Sequence, residues 1–298
     1  MGRTAARLRA EAASLLGRAR NRLRGRDLAL IAAGLTFYAG IAVVPLLLVA
    51  VALTARLTSP GTVRSLGERL GELLPAELGA PAALARLVEA GVRLDLTGFL
   101  LALLPLSFYG EGLRRALLRF TPRQETLTGW RGRLLALPLV LVTPLLLYPL
   151  LLAAAAMADL AAAGSTVGSL AVGYYSVLAA LTVPLGWGFR VVAAGRPRWP
   201  ALLAGALFTA ACLSGFLQGF VLFLSLPLDL GAPFGGLAVV GAVVAVGLWL
   251  FVLHLVVIGG WLLTQALDER MRGDQSSSSS SSPPRSPSPP RFRPPPPS

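Results

Sequence analysis

The chain has 298 residues, of which 55% are hydrophobic and only 14% are charged, and its mean hydropathy is +0.69. An average soluble domain is about 25% charged, so these totals favour a membrane protein and exclude a chain that is disordered throughout. All 27 basic residues are arginine and the net charge is +13, while a single Cys and a single His exclude a disulfide framework and leave too few ligands for a zinc or haem site.

The N-terminal segment, residues 1–27, holds eight arginines with leucines among them, and we expect it to form an amphipathic helix. An arginine near an anionic leaflet contributes about 1 kcal/mol to membrane binding. We therefore expect this segment to lie along the cytoplasmic surface and to bind anionic lipids. Because the membrane accounts for the charge, no nucleic-acid partner is expected.

Long stretches without charged residues predict an all-α polytopic membrane domain over residues 28–270. A helix needs roughly 20 apolar residues to cross about 30 Å of hydrocarbon. Five uncharged runs are long enough, and a sixth, 96–110, spans only with flanking residues. The six predicted spans cover residues 29–54, 95–113, 134–156, 168–189, 199–223 and 235–266.

Between the first two spans, residues 62–92 predict an outer amphipathic helical hairpin interrupted at Pro75. It either lies on the membrane surface or caps the bundle, and a solvated linker with chance periodicity is the alternative. The leucines on its first helical face are Leu66, Leu70, Leu73 and Leu74.

The C-terminal tail, residues 274–298, starts near a run of serines and continues as a Pro/Arg/Ser tract. Such a segment has almost no apolar surface to offset its ordering entropy, so we predict that it is disordered.

The distribution of arginine predicts the orientation of the bundle. With six spans, 22 of the 27 arginines fall on one side of the membrane. The other five lie in the first long connection, which also carries five acids. Positively charged loops stay cytoplasmic, so both termini are predicted to be cytoplasmic.

Short motifs occur in the first, second and last spans. The first span has an aromatic pair, Phe37-Tyr38, followed by Pro45 and a leucine run, and the second ends in a basic stretch, residues 113–117. The last span has an aromatic-glycine turn, Phe234-Gly235-Gly236, followed by Leu248-Trp249. In order and spacing over about 28–270 these motifs resemble the YihY/BrkB family of multi-pass proteins.

The resemblance implies a protein of the bacterial inner (plasma) membrane. Members of the family have been linked to serum resistance, to transport-like roles and, through a mistaken assignment, to a transfer-RNA-processing ribonuclease. One His and scattered acids speak against a nuclease here. Two positions depart from the family pattern: Gly259-Gly260-Trp261 replaces Gly-Ala-Glu, and Phe234 replaces the usual Tyr of the turn.

Polar groups inside the spans are candidates for function, because a charged residue costs roughly 2.5–3.5 kcal/mol to insert. Glu111 is either a coupling carboxylate or an interfacial acid paired with Arg114 or Arg115. His254 is either a proton relay or a neutral, hydrogen-bonded side chain. Gln218 is either a substrate contact or a link between helices.

Prolines interrupt several spans, and interrupted helices leave backbone groups that line cavities in transporters. The predicted cavity or coupling set is therefore Tyr38, Pro45, Glu111, Gln218 and His254.

The fifth span carries a strip of small residues, Ala211, Gly215 and Gly219, that would allow close approach of another helix. We predict packing within the chain here, with dimerisation as the alternative.

Two functions remain open: a transporter or flippase of a lipid-like or amphipathic solute, and a membrane scaffold that recruits partners through its basic N-terminus and Pro/Ser-rich tail. We predict no catalytic residues, no metal and no cofactor.

Overall fold

The computed structural model describes residues 27–72, 79–121, 130–193, 195–224 and 228–280, together with Gly17, Leu74 and Leu226. In this part of the chain all regular structure is helical and no strand is present, which confirms the all-α class. The helices are α1 (Leu28–Leu57), α2 (Pro60–Glu72), α3 (Ala80–Val92), α4 (Leu96–Leu118), α5 (Trp130–Ala162), α6 (Thr166–Trp187), α7 (Trp199–Leu224) and α8 (Ala238–Ser280). A π-helical turn, Gly188–Val192, extends α6, and a 3₁₀ turn, Ala232–Phe234, precedes α8.

Five of the described helices are long and apolar enough to cross a membrane: α1, α4, α6 with its π-helical turn, α7 and α8. In α5 the described apolar stretch is shorter and covers Leu146–Leu160. The polytopic membrane class is therefore confirmed, whereas the count of six spans stays a prediction.

The last helix begins later than predicted. The sequence placed its start at residue 235, but Gly235 and Gly236 have φ angles of 65° and 84°, in the left-handed region that favours glycine. These two residues form the turn that leads into α8, and the helix starts at Ala238. The aromatic-glycine motif thus forms a turn directly before α8.

The last helix also ends later than predicted. Residues 274–280, predicted to be the start of a disordered tail, continue α8 as far as Ser280. Serine tolerates a helix, and the first residue that would break one is Pro283. The remaining tail, 281–298, lies outside the described residues, as does the N-terminal segment apart from Gly17 and Asp27.

The long helices alternate in direction. The start of α1 therefore lies at the same end of the bundle as the C-terminal ends of α4 and α8. We call this the terminal end, and the opposite end, where α2 and α3 lie, the hairpin end. Helices α5, α6, α7 and α8 pack in chain order, and α1 closes the circuit by contacting both α8 and α5. An apolar core at the terminal end joins α1, α4, α7, α8 and the π-helical turn around Phe120, Phe189 and Trp261.

The helical hairpin is confirmed, and it caps the bundle. Helices α2 and α3 pack against each other and against α1 and α5. Gly91 of α3 permits the closest approach, because a Cβ atom there would lie 2.6 Å from Cγ1 of Val51 in α1. Ion pairs join Arg64 to Glu89 across the hairpin and Arg69 to Asp159 at the end of α5.

Acid is expected to loosen this hairpin. The hydrogen bond from Arg64, 2.8 Å long, lowers the pKa of the Glu89 carboxyl below its ordinary value. A carboxylate with a lowered folded-state pKa stabilises the fold above its unfolded pKa of about 4.3, and this contribution is lost as the pH falls through the folded value. The protection factors of residues 60–92 against hydrogen exchange, which are corrected for the intrinsic rate at each pH, should therefore fall below about pH 4. An Arg64→Gln variant should already have lower protection factors at neutral pH and should show a smaller further decrease in acid; an unchanged acid response would contradict this role of the pair.

The closest helix contact in the described residues is the seam between α7 and α8. A Cβ atom on Gly205 would lie 1.9 Å from Oγ1 of Thr264, and one on Gly260 would lie 1.9 Å from Oγ1 of Thr209. Each threonine hydroxyl donates to the carbonyl four residues earlier in its own helix, so no polar group is stranded in the seam. Two Gly–Thr contacts of the same kind thus join these helices.

The strip of small residues predicted to pack in α7 does not form one contact surface. Gly215 is exposed, and a Cβ atom there would meet nothing within 4 Å. Gly219 instead approaches Trp249 of α8, while the carbonyl of Ala211 accepts a hydrogen bond from Tyr174 of α6. The predicted close approach within the chain is therefore wrong at Gly215, because the neighbouring helices flank this strip and do not cover it.

Candidate functional site

Polar side chains follow one face of α8 in its terminal half. The positions of His254, Trp261, Gln265 and Asp268 repeat every three, four or seven residues, which places them on one side of a helix. All four are buried. Ile258 lies on the same face and belongs to the apolar core at the terminal end. Polar and apolar side chains are therefore buried next to each other there.

His254 joins three helices through hydrogen bonds. Its Nδ1 lies 2.6 Å from the carbonyl oxygen of Leu250 and 3.3 Å from Oγ1 of Thr36 in α1. Its Nε2 lies 3.4 Å from the hydroxyl of Tyr109 in α4. A carbonyl only accepts, so Nδ1 carries the proton and Nε2 accepts from Tyr109. The geometry fits a neutral, hydrogen-bonded histidine, the second interpretation of this residue.

Glu111 is buried and paired at the terminal end of α4. Arg115, one turn further along and 62% exposed in its side chain, donates to its Oε1. Between them Arg114 is only 2% exposed and donates from Nη1 to the carbonyl of Val192 in the π-helical turn, at 3.1 Å. The acid–arginine pair predicted for this site is present, and the neighbouring arginine ties α4 to the end of α6.

Of the predicted cavity set, Tyr38 is placed against Gly112, the residue that follows Glu111. The ring of Tyr38 lies on Gly112, where a Cβ atom would be 2.7 Å from Cδ2 of the ring. Pro45 is half-buried, about two turns further along α1.

Gln218 does not belong to this group. Its Nε2 donates to the carbonyl of Leu170, 2.8 Å away, and so links α7 to the start of α6 near the hairpin end. It acts as a link between helices, which was one of its two interpretations.

Asp268 fixes the loop that joins the π-helical turn to α7. Its Oδ1 accepts from the backbone N–H of Arg198 at 2.9 Å, and its Oδ2 pairs with Arg272 at 2.7 Å. In the same loop Gly195 lies directly against Trp261, since a Cβ atom there would be 2.3 Å from Cη2 of the indole.

Two residues on this face of α8 have buried polar atoms with no hydrogen-bond partner among the described residues. They are Nε1 of Trp261 and both Oε1 and Nε2 of Gln265. Buried polar atoms normally have partners, so such atoms indicate water, a ligand or a second conformation.

Sequence reasoning missed Arg114, Trp261, Gln265 and Asp268 as members of a site. The spacing of the last three with His254 was a usable signal. Arg114 had none, because it is adjacent in sequence to an exposed arginine and only the fold separates the two.

Two open grooves lie elsewhere in the described residues. One, of about 620 Å³, lies in the α2–α3 hairpin, and another, of about 330 Å³, lies between α5 and α6. Neither is lined by a member of the predicted cavity set. Among the described residues, no group of three or more His, Cys, Asp or Glu side chains could hold a metal ion.

The turn Phe234-Gly235-Gly236 lies at the hairpin end, away from these residues. It is compact because Gly231 is held by Oδ1 of Asp229 at 2.9 Å and Gly241 sits against the carbonyl of Leu230. Its contacts give it the role of a connection between α7 and α8.

Comparison with known protein families gives a match that covers most of the chain. A family profile described as Virulence factor BrkB matches residues 19–285. No curated protein and no solved structure matches the chain.

Proposed function

Because the chain belongs to the BrkB family of membrane proteins, we propose that it moves a lipid-like or amphipathic solute across the membrane through its helix bundle. The observation that carries the proposal is the polar face of α8, His254 to Asp268, which is buried within the bundle. Polar and ionisable groups are costly at membrane depth and mark solute or ion pathways when they face the bundle interior. Gln265 and Trp261 support this, because a passing polar group would satisfy their free atoms.

Reconstitution into liposomes tests the proposal. The full chain is inserted into vesicles that carry a fluorescent phospholipid, and a membrane-impermeant quencher reports lipid that reaches the outer leaflet. We expect lipid translocation above that of empty vesicles. Gln265→Leu should slow it by roughly tenfold, the effect of losing about 1.4 kcal/mol of polar contact along the path.

Gln218→Leu is the matched control, because it removes the same amide from the α6–α7 link and leaves the α8 face intact. Equal slowing in both variants, or no translocation by folded wild-type protein, would contradict the proposal.

A scaffold that recruits partners is the second candidate, and one observation favours it. The candidate span of α8 ends at Arg272, yet the helix continues to Ser280 and leads into the Pro/Ser-rich tail. Deletion of residues 273–298 should abolish partner capture by a scaffold and should leave lipid translocation unchanged in a transporter.

The proposal also includes the orientation and partners of the protein. Both termini face the cytoplasm from the bacterial inner membrane, and the N-terminal arginines bind anionic lipids. The activity needs no catalytic residue, cofactor or nucleic acid.

A further inference from the structure

A short strap covers the terminal end of the α8 polar face. It comprises residues 195–198, between the π-helical turn and α7. Gly195 lies on the indole of Trp261, and the backbone N–H of Arg198 donates to Asp268. Gln265 lies between these two contact points on the same face of α8. Along α8, Gln265 is thus flanked by the two residues that the strap contacts.

The hydrogen bonds described for the strap are made by its last two residues, Pro197 and Arg198. Besides the contact with Asp268, Nη1 of Arg198 donates to the carbonyl of Met271 at 3.0 Å. Nη1 of Arg190 donates to the carbonyl of Pro197 at 3.1 Å, and its guanidinium stacks over the ring of Trp199. Two of these bonds connect the strap to α8, and they form at its last residue.

The closed strap carries two energetic penalties. Beside it, Gln265 and Trp261 have buried polar atoms without partners among the described residues. Within it, Arg196 is the one described residue other than glycine with a positive φ angle, 43°, a strained conformation for a side chain of this type. Opening would admit water or solute to the polar atoms and would release the strained residue.

We infer that residues 195–198 form a gate at the terminal end, that Asp268 is its latch, and that Gln265 and Trp261 are the polar contacts offered to the solute head group when the gate opens. The inference rests on the proposed transport function. It explains why a tightly packed region keeps both unsatisfied polar atoms and a strained residue: the latch bonds offset these penalties, so the two states stay close in free energy.

Cysteine accessibility tests the gate. The chain has a single cysteine, so Cys212→Ser gives a cysteine-free background. Gln265→Cys in this background is placed in lipid nanodiscs as the full chain, and its modification by a membrane-impermeant maleimide is timed. Asp268→Ala should raise the rate on the order of tenfold through loss of a charge-assisted bond. Arg196→Gly should lower it, because glycine accepts the closed backbone without strain.

Two controls separate gating from unfolding. Glu68→Ala removes an exposed acid of α2, at the hairpin end, and should leave the rate unchanged. Thr209→Cys, fully buried in the α7–α8 seam, should stay unreactive in every variant. A rate at position 265 that Asp268→Ala leaves unchanged contradicts the latch, and one that Arg196→Gly leaves unchanged contradicts the strain argument. Parallel labelling at position 209 shows general loosening and overturns the gate.

The labelling result does not depend on lipid translocation. A labelling response without lipid translocation would support the gate and contradict the proposed solute. Lipid translocation without a labelling response would support transport and contradict this gate.

Discussion

A Gly260→Ala variant is expected to lose about 1–3 kcal/mol of free energy of unfolding, the usual cost of overpacking a close-packed core. The added Cβ atom would lie 1.9 Å from Oγ1 of Thr209, which is fully buried and bonded to the carbonyl of Gly205. Neither helix has room to yield, because the second Gly–Thr contact holds the same seam. Thermal unfolding of the detergent-solubilised full chain would measure the loss.

Two further variants test the cause of that loss. Thr209→Ala should partly rescue Gly260→Ala, since it removes the nearest atom but keeps a Cβ atom 2.8 Å away. Gly215→Ala is the matched control in α7 and should not destabilise the protein, because nothing lies within 4 Å of its new methyl group. Strong destabilisation by Gly215→Ala would mean that the strip in α7 packs against a partner, such as a second copy of the chain.

An Arg114→Met variant is expected to be destabilised by about 1–3 kcal/mol. The guanidinium is almost completely buried and satisfies the carbonyl of Val192 in the π-helical turn. Methionine fills a similar volume but donates no hydrogen bond, so that carbonyl would lose its donor in an apolar setting. The same thermal unfolding measurement detects the change.

Arg119→Met supplies the comparison, because Arg119 lies on the same helix end and is exposed. It should change stability little, as surface substitutions usually do. Equal effects of the two variants would show that total charge at the terminal end matters and the buried bond does not.

The buried polar groups and the tight seam occupy the same half of the molecule. Thr209, Gly260 and Thr264 fasten α7 to α8 beside the polar face that carries Trp261 and Gln265. A rigid seam next to the strap would confine movement to residues 195–198. The proposed gate would then open without separating the two helices.

For three polar residues the structure shows the contact that one of the two interpretations from sequence had described. A lone histidine in an apolar span must bond to a neighbouring helix, and His254 does so through Thr36 and Tyr109. Glu111 had an arginine one turn away and pairs with it. Gln218 had only backbone to bind and links α7 to α6.

Interpretations that depended on which helix face meets which neighbour did not succeed. Gly215 belongs to a pattern that favours close packing, yet the fold leaves it uncovered and uses Gly205 and Gly260 instead. The pattern describes the shape of one helix surface, and the position of the next helix is a property of the whole bundle.

Composition and charge-free runs were sufficient for the membrane class and the all-α fold, because hydrocarbon thickness and backbone hydrogen bonding impose these on any such chain. The helical spacing of leucines was sufficient for the amphipathic hairpin. Two neighbouring arginines show where that reasoning ends: Arg114 is buried against the π-helical turn and Arg115 is largely exposed, although their local sequence is the same. Only tertiary packing separates them, and only packing places Gln265 and Trp261 beside a strap that is distant in the chain. Burial and long-range contacts depend on how separate helices pack together. The sequence of a single helix is not sufficient to determine that packing.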